Sequence, residues 1–140
     1  MRSKLLFTIL TVCSAQVINA QLYINSAQLT IQAGASVVVQ GDVTSNTDIL
    51  GAGKLVLKGS SNQNVSMSGF SIPNLEMDNT ANATLTSNAR IGTSMLFTNG
   101  KIFAGNFNLA LAPAETNTGM GTSKFIETNG TGQVMQELTG

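Results

Sequence analysis

The chain has 140 residues, and its seven basic and seven acidic groups cancel to a formal charge of zero. It contains no His, no Trp and a single Cys, Cys13, which excludes a Ser-His-Asp or Cys-His nucleophile system, an HExxH zinc site, an intramolecular disulfide and a Cys-based metal site. The few basic residues cannot form the patch that a nucleic-acid footprint requires, while 42% hydrophobic residues suffice for a core and argue against compositional disorder.

Residues 1–20 read as a cleaved secretory signal peptide. Arg2 and Lys4 form the positive start, Leu5–Val12 the apolar run, and Ile18-Asn19-Ala20 a small-residue cleavage site before Gln21. The apolar run is far shorter than the ~20 residues needed to span a bilayer, and no other stretch approaches that length. Leu10-Thr11-Val12-Cys13 approaches a lipid-attachment box, but Val12 stands where Gly, Ala or Ser is required. Without this leader, residues 21–140 hold five basic and seven acidic groups and no Cys. Gly, Asn, Ser and Thr supply 52 of those 120 residues, a turn-rich content that points away from helices.

The apolar pieces that follow are triplets. In chain order they are Leu29-Thr30-Ile31, Val37-Val38-Val39, Leu55-Val56-Leu57, Val65-Ser66-Met67, Leu75-Glu76-Met77, Met95-Leu96-Phe97 and Leu109-Ala110-Leu111. Period-two alternation puts the middle residue of each outside and its flankers in a core. From Leu55 a regular spacing appears: Leu55, Val65, Leu75, Leu85 and Met95 lie ten residues apart. Between them stand Gly59-Ser60-Ser61-Asn62, Ser68-Gly69, Asp78-Asn79-Thr80, Ser87-Asn88 and Asn99-Gly100. Gly and Asn accept positive φ, and Ser, Thr and Asp are expected to bond back to the local backbone.

Two all-β architectures fit. An antiparallel β-sandwich is favoured by the spacing and by Asn99-Gly100, a hairpin signal between Met95–Thr98 and Lys101–Phe103. A parallel β-solenoid, right-handed β-helix-like, in which each coil of about 20 residues contributes two or three short strands, is favoured by strand length, since sandwich strands average about five to six residues and these triplets meet Gly, Asn or Ser at once. Polar residues stacked between coils also suit a charge-poor chain. The solenoid over residues 21–140 is the expected fold; within it Asn99-Gly100 is a corner that requires positive φ, and a hairpin excursion near Asn99 is compatible with it. Gln21–Ile31 offers an N-terminal strand or cap. Residues 125–140 alternate like one more strand, turn and strand, which we read as the start of a longer protein with the repeat region incomplete at its C-terminus.

Residues 29–43 (LTIQAGASVVVQGDV), 96–109 (LFTNGKIFAGNFNL) and 124–132 (KFIETNGTG) carry a resemblance. The chain resembles the amino-terminal β-helical region of large secreted or cell-surface proteins of Bacteroidetes-type bacteria, many of them exported by the type IX route. The resemblance implies a secreted or outer-surface location and a β-helical fold, and it carries over no functional residue.

Candidate chemistry is sparse. Glu76 and Asp78 share one outward face, and paired carboxylates roughly 5–10 Å apart serve glycoside hydrolysis. No basic residue nearby in sequence positions a substrate, so the expectation is a soluble, non-sticky strand face. Asp42, Asn46 and Asp48 offer oxygen ligands but lack EF-hand spacing and a bidentate Glu; a capped turn is expected rather than bound Ca²⁺. Sequons at Asn64, Asn82 and Asn129 are frequent by chance in an Asn- and Thr-rich chain. Thr118-Gly119-Met120-Gly121-Thr122 lacks the Lys-Ser/Thr of a phosphate loop and reads as a turn. Phe97, Phe103 and Phe107 read as core residues, and Tyr23 as an exposed residue near the terminus.

These features give no catalytic, cofactor or metal residue. The expected role is a non-catalytic structural or adhesive segment of an exported surface protein, contacting an extracellular glycan or a surface protein. The alternative is the scaffold of a carbohydrate-binding or carbohydrate-active β-helix protein whose site lies beyond residue 140.

Overall fold

The structure, a computed structural model, describes residues 20–139. Apart from Ala20, the expected signal peptide lies outside the described residues. Within them the chain is all-β, without a helix, and winds into a β-solenoid of about five turns. The antiparallel sandwich is set aside because every pairing between strands is parallel.

The first turn contributes β1 (Leu22–Ile24), β2 (Leu29–Thr30) and β3 (Ser36–Val39). The second contributes β4 (Val43–Ser45), β5 (Ile49–Leu50) and β6 (Lys54–Gly59). In the third, β7 (Gln63–Ser66) precedes one long strand, β8 (Ser71–Asn79), and in the fourth β9 (Ala83–Leu85) precedes β10 (Ala89–Asn99). Then follow β11 (Ile102–Phe103), β12 (Leu109–Leu111), β13 (Thr116–Thr118), β14 (Ile126–Glu127) and β15 (Val134–Gln136).

Three faces result. The first stacks β1, β4, β7, β9, β11 and β14 in that order. The second consists of β2 and β5, the first residues of β8 and β10, and then β12 and β15. The third runs from β3 through β6 and the later parts of β8 and β10 to β13. Where β8 and β10 turn from the second face to the third, the register slips between Ile91 and Ser94. Pro73 sits at this corner, where its missing N–H and fixed φ are tolerated, and Gly92 lies over it.

The ten-residue spacing is half a turn. Leu55, Leu75 and Met95 are successive partners on the third face, twenty residues apart. Val43, Val65 and Leu85 form the matching column on the first. Each triplet thus places its outer residues in two adjacent inward columns, as Leu57, Met77 and Phe97 do beside Leu55, Leu75 and Met95. These columns meet in one continuous apolar core.

The middle residues point outward as the alternation requires, with Thr30 and Val38 exposed and Ser66, Glu76, Leu96 and Ala110 half-buried. Val56 departs from this: it faces outward yet is only 7% exposed. Lys54 and Lys58 flank it along β6, and Val38 and Glu76 lie opposite, so aliphatic stems cover it while their charged ends reach water.

Asn99-Gly100 is a corner and not a hairpin. Gly100 has φ +80°, and an added Cβ would strike the Asn79 carbonyl of the preceding turn. The chain therefore turns without a side chain at that position and enters β11 parallel to β9. The antiparallel excursion lies elsewhere, at the Gly121–Lys124 bridge, within the stretch read as a flexible turn.

Since Leu75 is packed between Leu55 and Met95, Leu75→Ala is expected to cost about 2–5 kcal/mol in urea unfolding. Leu96→Ala, outward and half-buried on the next turn, is expected to cost about 1 kcal/mol. Equal effects would contradict the inward and outward assignment.

Candidate functional site

The third face brings the predicted acidic pair together with residues one turn away. Glu76 and Asp78 flank inward Met77 and both point outward, as expected. The sequence reading missed their partners. Lys54 Nζ bonds Glu76 Oε2, and the Thr98 hydroxyl donates to Glu76 Oε1 at 2.8 Å. Asp78 pairs with Lys58 at 2.9 Å and accepts from the Asn99 amide at 2.7 Å. The face therefore carries two rows, each a cation, a carboxylate and a neutral donor on successive turns.

This arrangement holds both carboxylates ionised. The Lys54 hydrogen bond, helped by Thr98, sets Glu76 below the ordinary Glu value. The Asn99 amide and then Lys58 do the same for Asp78. A glycosidase acid needs the opposite, a carboxyl kept protonated by its surroundings. The rows instead suit charge neutralisation on a sheet face.

The corners carry a second pattern. Asp42 Oδ1 accepts Asn64 N–H at 2.8 Å, Asp48 Oδ1 accepts Ser71 N–H at 2.7 Å, and Asn82 Oδ1 accepts Lys101 N–H at 2.9 Å. Asn88 accepts from Asn108, and Asn108 from Gln133, at 2.9 and 3.0 Å. Asn46 and Asn129 accept in the other direction, from Ser26 and Gly105. These corner side chains satisfy backbone N–H groups one turn away. Among the turn residues of the sequence reading, Ser87 bonds locally to the Asn88 carbonyl and Asn79 accepts from the Ala81 N–H, whereas Asp78 pairs with side chains of the neighbouring turns. Ser45 keeps the local pattern, exchanging bonds with Thr47.

This account covers the loose oxygen set and the sequons. Asp42, Asn46 and Asp48 each hold an adjacent turn, and among the described residues no three His, Cys, Asp or Glu side chains are grouped to hold a metal. Asn82 and Asn129 of the three sequons serve as acceptors between turns, and Asn64 is joined to Asp42 through both its backbone and its side chain.

Two longer clamps were not legible in the sequence. The amide of buried Gln63 donates to the Val39 and Gly41 carbonyls at 2.9 and 2.6 Å and accepts from Asn79 at 2.9 Å. Asn79 also donates to the Ser61 carbonyl, so a polar pair ties three turns together inside the core. On the second face Arg90 reaches across the small Ala110 to Glu137, with Nε–Oε1 at 2.9 Å and Nη2–Oε2 at 2.8 Å. Its Nη1 donates to Ser71 on the turn before.

Of the aromatic residues read as core, Phe97 is buried and Phe107 packs on the core. Phe103 differs: it is the outward residue of β11, between Thr84 and Glu127. Tyr23 is exposed on the first face, as expected.

Glu115, at the corner between β12 and β13, has both carboxylate oxygens shielded from water without a hydrogen-bond partner. Burial pushes its carboxyl above the ordinary Glu value, and the Met95 N–H, near it but outside hydrogen-bonding geometry, offsets only part of this. A carboxyl raised on folding stabilises the fold below its unfolded value and loses that contribution as pH rises through its folded value. Glu115→Gln is therefore expected to raise the urea midpoint at neutral pH and to leave it unchanged well below the carboxylate range. A lower midpoint at neutral pH would contradict this.

No family model, curated protein or solved structure matches this chain, and its own surface carries the functional reading.

Proposed function

We propose that the chain is a non-catalytic structural and adhesive repeat segment of an exported bacterial surface protein. The observation that carries this reading is the use of its polar side chains. Corner amides and carboxylates join turn to turn, and the acidic pair of the third face is neutralised in rows by Lys54, Lys58, Thr98 and Asn99. Such a surface is stiff and presents hydroxyl, amide and carboxylate groups at the ~4.8 Å spacing of paired strands. A rigid array of this kind suits many weak contacts to a glycan or surface protein, whose combined avidity exceeds that of any one contact.

The location rests on the leader at residues 1–20 and on the resemblance stated above. An epitope tag should be inserted after Gly140 in the whole reading frame that encodes this chain, expressed in a Bacteroidetes-type host. The mature N-terminus is expected at Gln21 by mass spectrometry, and the tag is expected to be removed by protease added to intact cells. A protein that keeps Met1 and resists protease until the cells are lysed would overturn the reading.

A further inference from the structure

At the corner between the first and second faces, the first three turns enclose an open groove of about 580 Å³. The first turn lines it with Gln28, the second with Asn46, Thr47, Asp48 and Leu50, and the third with Phe70. The volume lies in the range of small-molecule sites, which combine an apolar wall with a few convergent polar groups.

Phe70 and Leu50 are the apolar part. Each is 38% exposed, although a chain with this core could bury both. Phe70 is turned out by its backbone. Ser68 and Gly69 precede it with φ +52° and +89°, and a non-glycine residue in that region is uncommon. The turn is then fixed by Phe70 N–H to the Met67 carbonyl at 2.8 Å and by Arg90 N–H to the Phe70 carbonyl at 3.2 Å.

The polar part is held in place and has bonding capacity left. Asp48 uses Oδ1 for Ser71, leaving Oδ2 as an acceptor. The Thr47 hydroxyl donates to the Ala27 carbonyl at 2.7 Å, which leaves its lone pairs. Asn46 is anchored to Asn25 at 2.8 Å through one amide hydrogen, which leaves the other. Gln28 is exposed and adds a donor and an acceptor. No Lys or Arg lines the groove, which disfavours a phosphate, sulfate or uronate. Asp48 is the single carboxylate in the lining, too few anionic ligands for a strong cation trap.

We propose that this groove binds a neutral sugar unit of an extracellular glycan. The apolar C–H face of the sugar packs on Phe70 and Leu50, while its hydroxyls donate to Asp48 Oδ2 and Thr47 and exchange bonds with Gln28 and Asn46. The proposal deepens the adhesive reading above and rests on it for the source of the ligand.

The test is an NMR titration of the isotopically labelled protein with cellotriose, galactotriose and chitotriose, and with trigalacturonate as the anionic comparison. At least one neutral trisaccharide is expected to shift the Phe70 ring and Gln28 side-chain signals, with trigalacturonate giving no such shift. Phe70→Ala is expected to weaken binding about tenfold or more, the scale for losing an aromatic anchor. Phe70→Trp should restore it, and Tyr23→Ala, outside the groove, should leave it unchanged. The amide spectrum of each variant reports whether the solenoid is intact. Three results overturn the proposal: no shift with any neutral trisaccharide, equal binding of trigalacturonate, or binding that survives Phe70→Ala. A displayed protein that binds no sugar removes the groove proposal alone, whereas a sugar-binding protein that is not exported removes the surface reading alone.

Discussion

The structure depends on one constraint: each strand must find a parallel partner about one turn away. Leu55, Leu75 and Met95 meet this requirement in a single column, and the core, the faces and the clamps all follow from it. Parallel stacking uses the backbone groups of the strands and of several corners but leaves other corner N–H groups without a backbone partner. Buried or half-buried backbone groups must still be satisfied. The Asn, Asp and Ser residues between the triplets do this, which accounts for a composition so rich in them and so poor in charge. Residues 21–140 contain no Cys, so their cohesion comes from these ladders together with the apolar columns.

Much of this was readable from residue order. Alternating triplets separated by turn residues gave short strands, and short strands favoured a solenoid over a sandwich. The ten-residue period and a coil of about twenty residues were visible, but which strand belongs to which face was not. Val65 and Leu75 look equivalent in sequence, yet they belong to different faces. Periodicity reports how often the chain presents an apolar residue and not which earlier residue it meets. The same limit explains Asn99-Gly100. Its preference for positive φ is local and was correctly read, but whether the chain then doubles back or moves on is decided by the preceding turn, where the Asn79 carbonyl leaves room only for glycine.

The candidate site was legible to a smaller degree for the same reason. Glu76 and Asp78 were identified as a pair sharing a face. Their partners Lys54, Lys58, Thr98 and Asn99 lie about twenty residues away on either side and come together only once the register is known. Register places Gln63 in the core, where its hydrogen bonds to Val39, Gly41 and Asn79 make its burial tolerable. Phe70 did leave a local signal, a large aromatic directly after Ser68-Gly69, where a polar turn residue would be ordinary. An aromatic that a turn directs outward is a better guide to a binding surface than one within an apolar run, as the burial of Phe97 illustrates.

The central claim is parallel stacking with a twenty-residue register, and NMR of backbone protons tests it most directly. Parallel strands bring the α-protons of one strand close to amide protons of its neighbour and keep α-protons apart, whereas antiparallel strands bring α-protons into close pairs. Through-space contacts joining the backbone protons of Leu55 with those of Leu75, and Leu75 with Met95, without close α-proton pairs between them, are the expected result. Close α-proton pairs between the segment at Met95–Thr98 and that at Lys101–Phe103 would restore the hairpin and contradict the account.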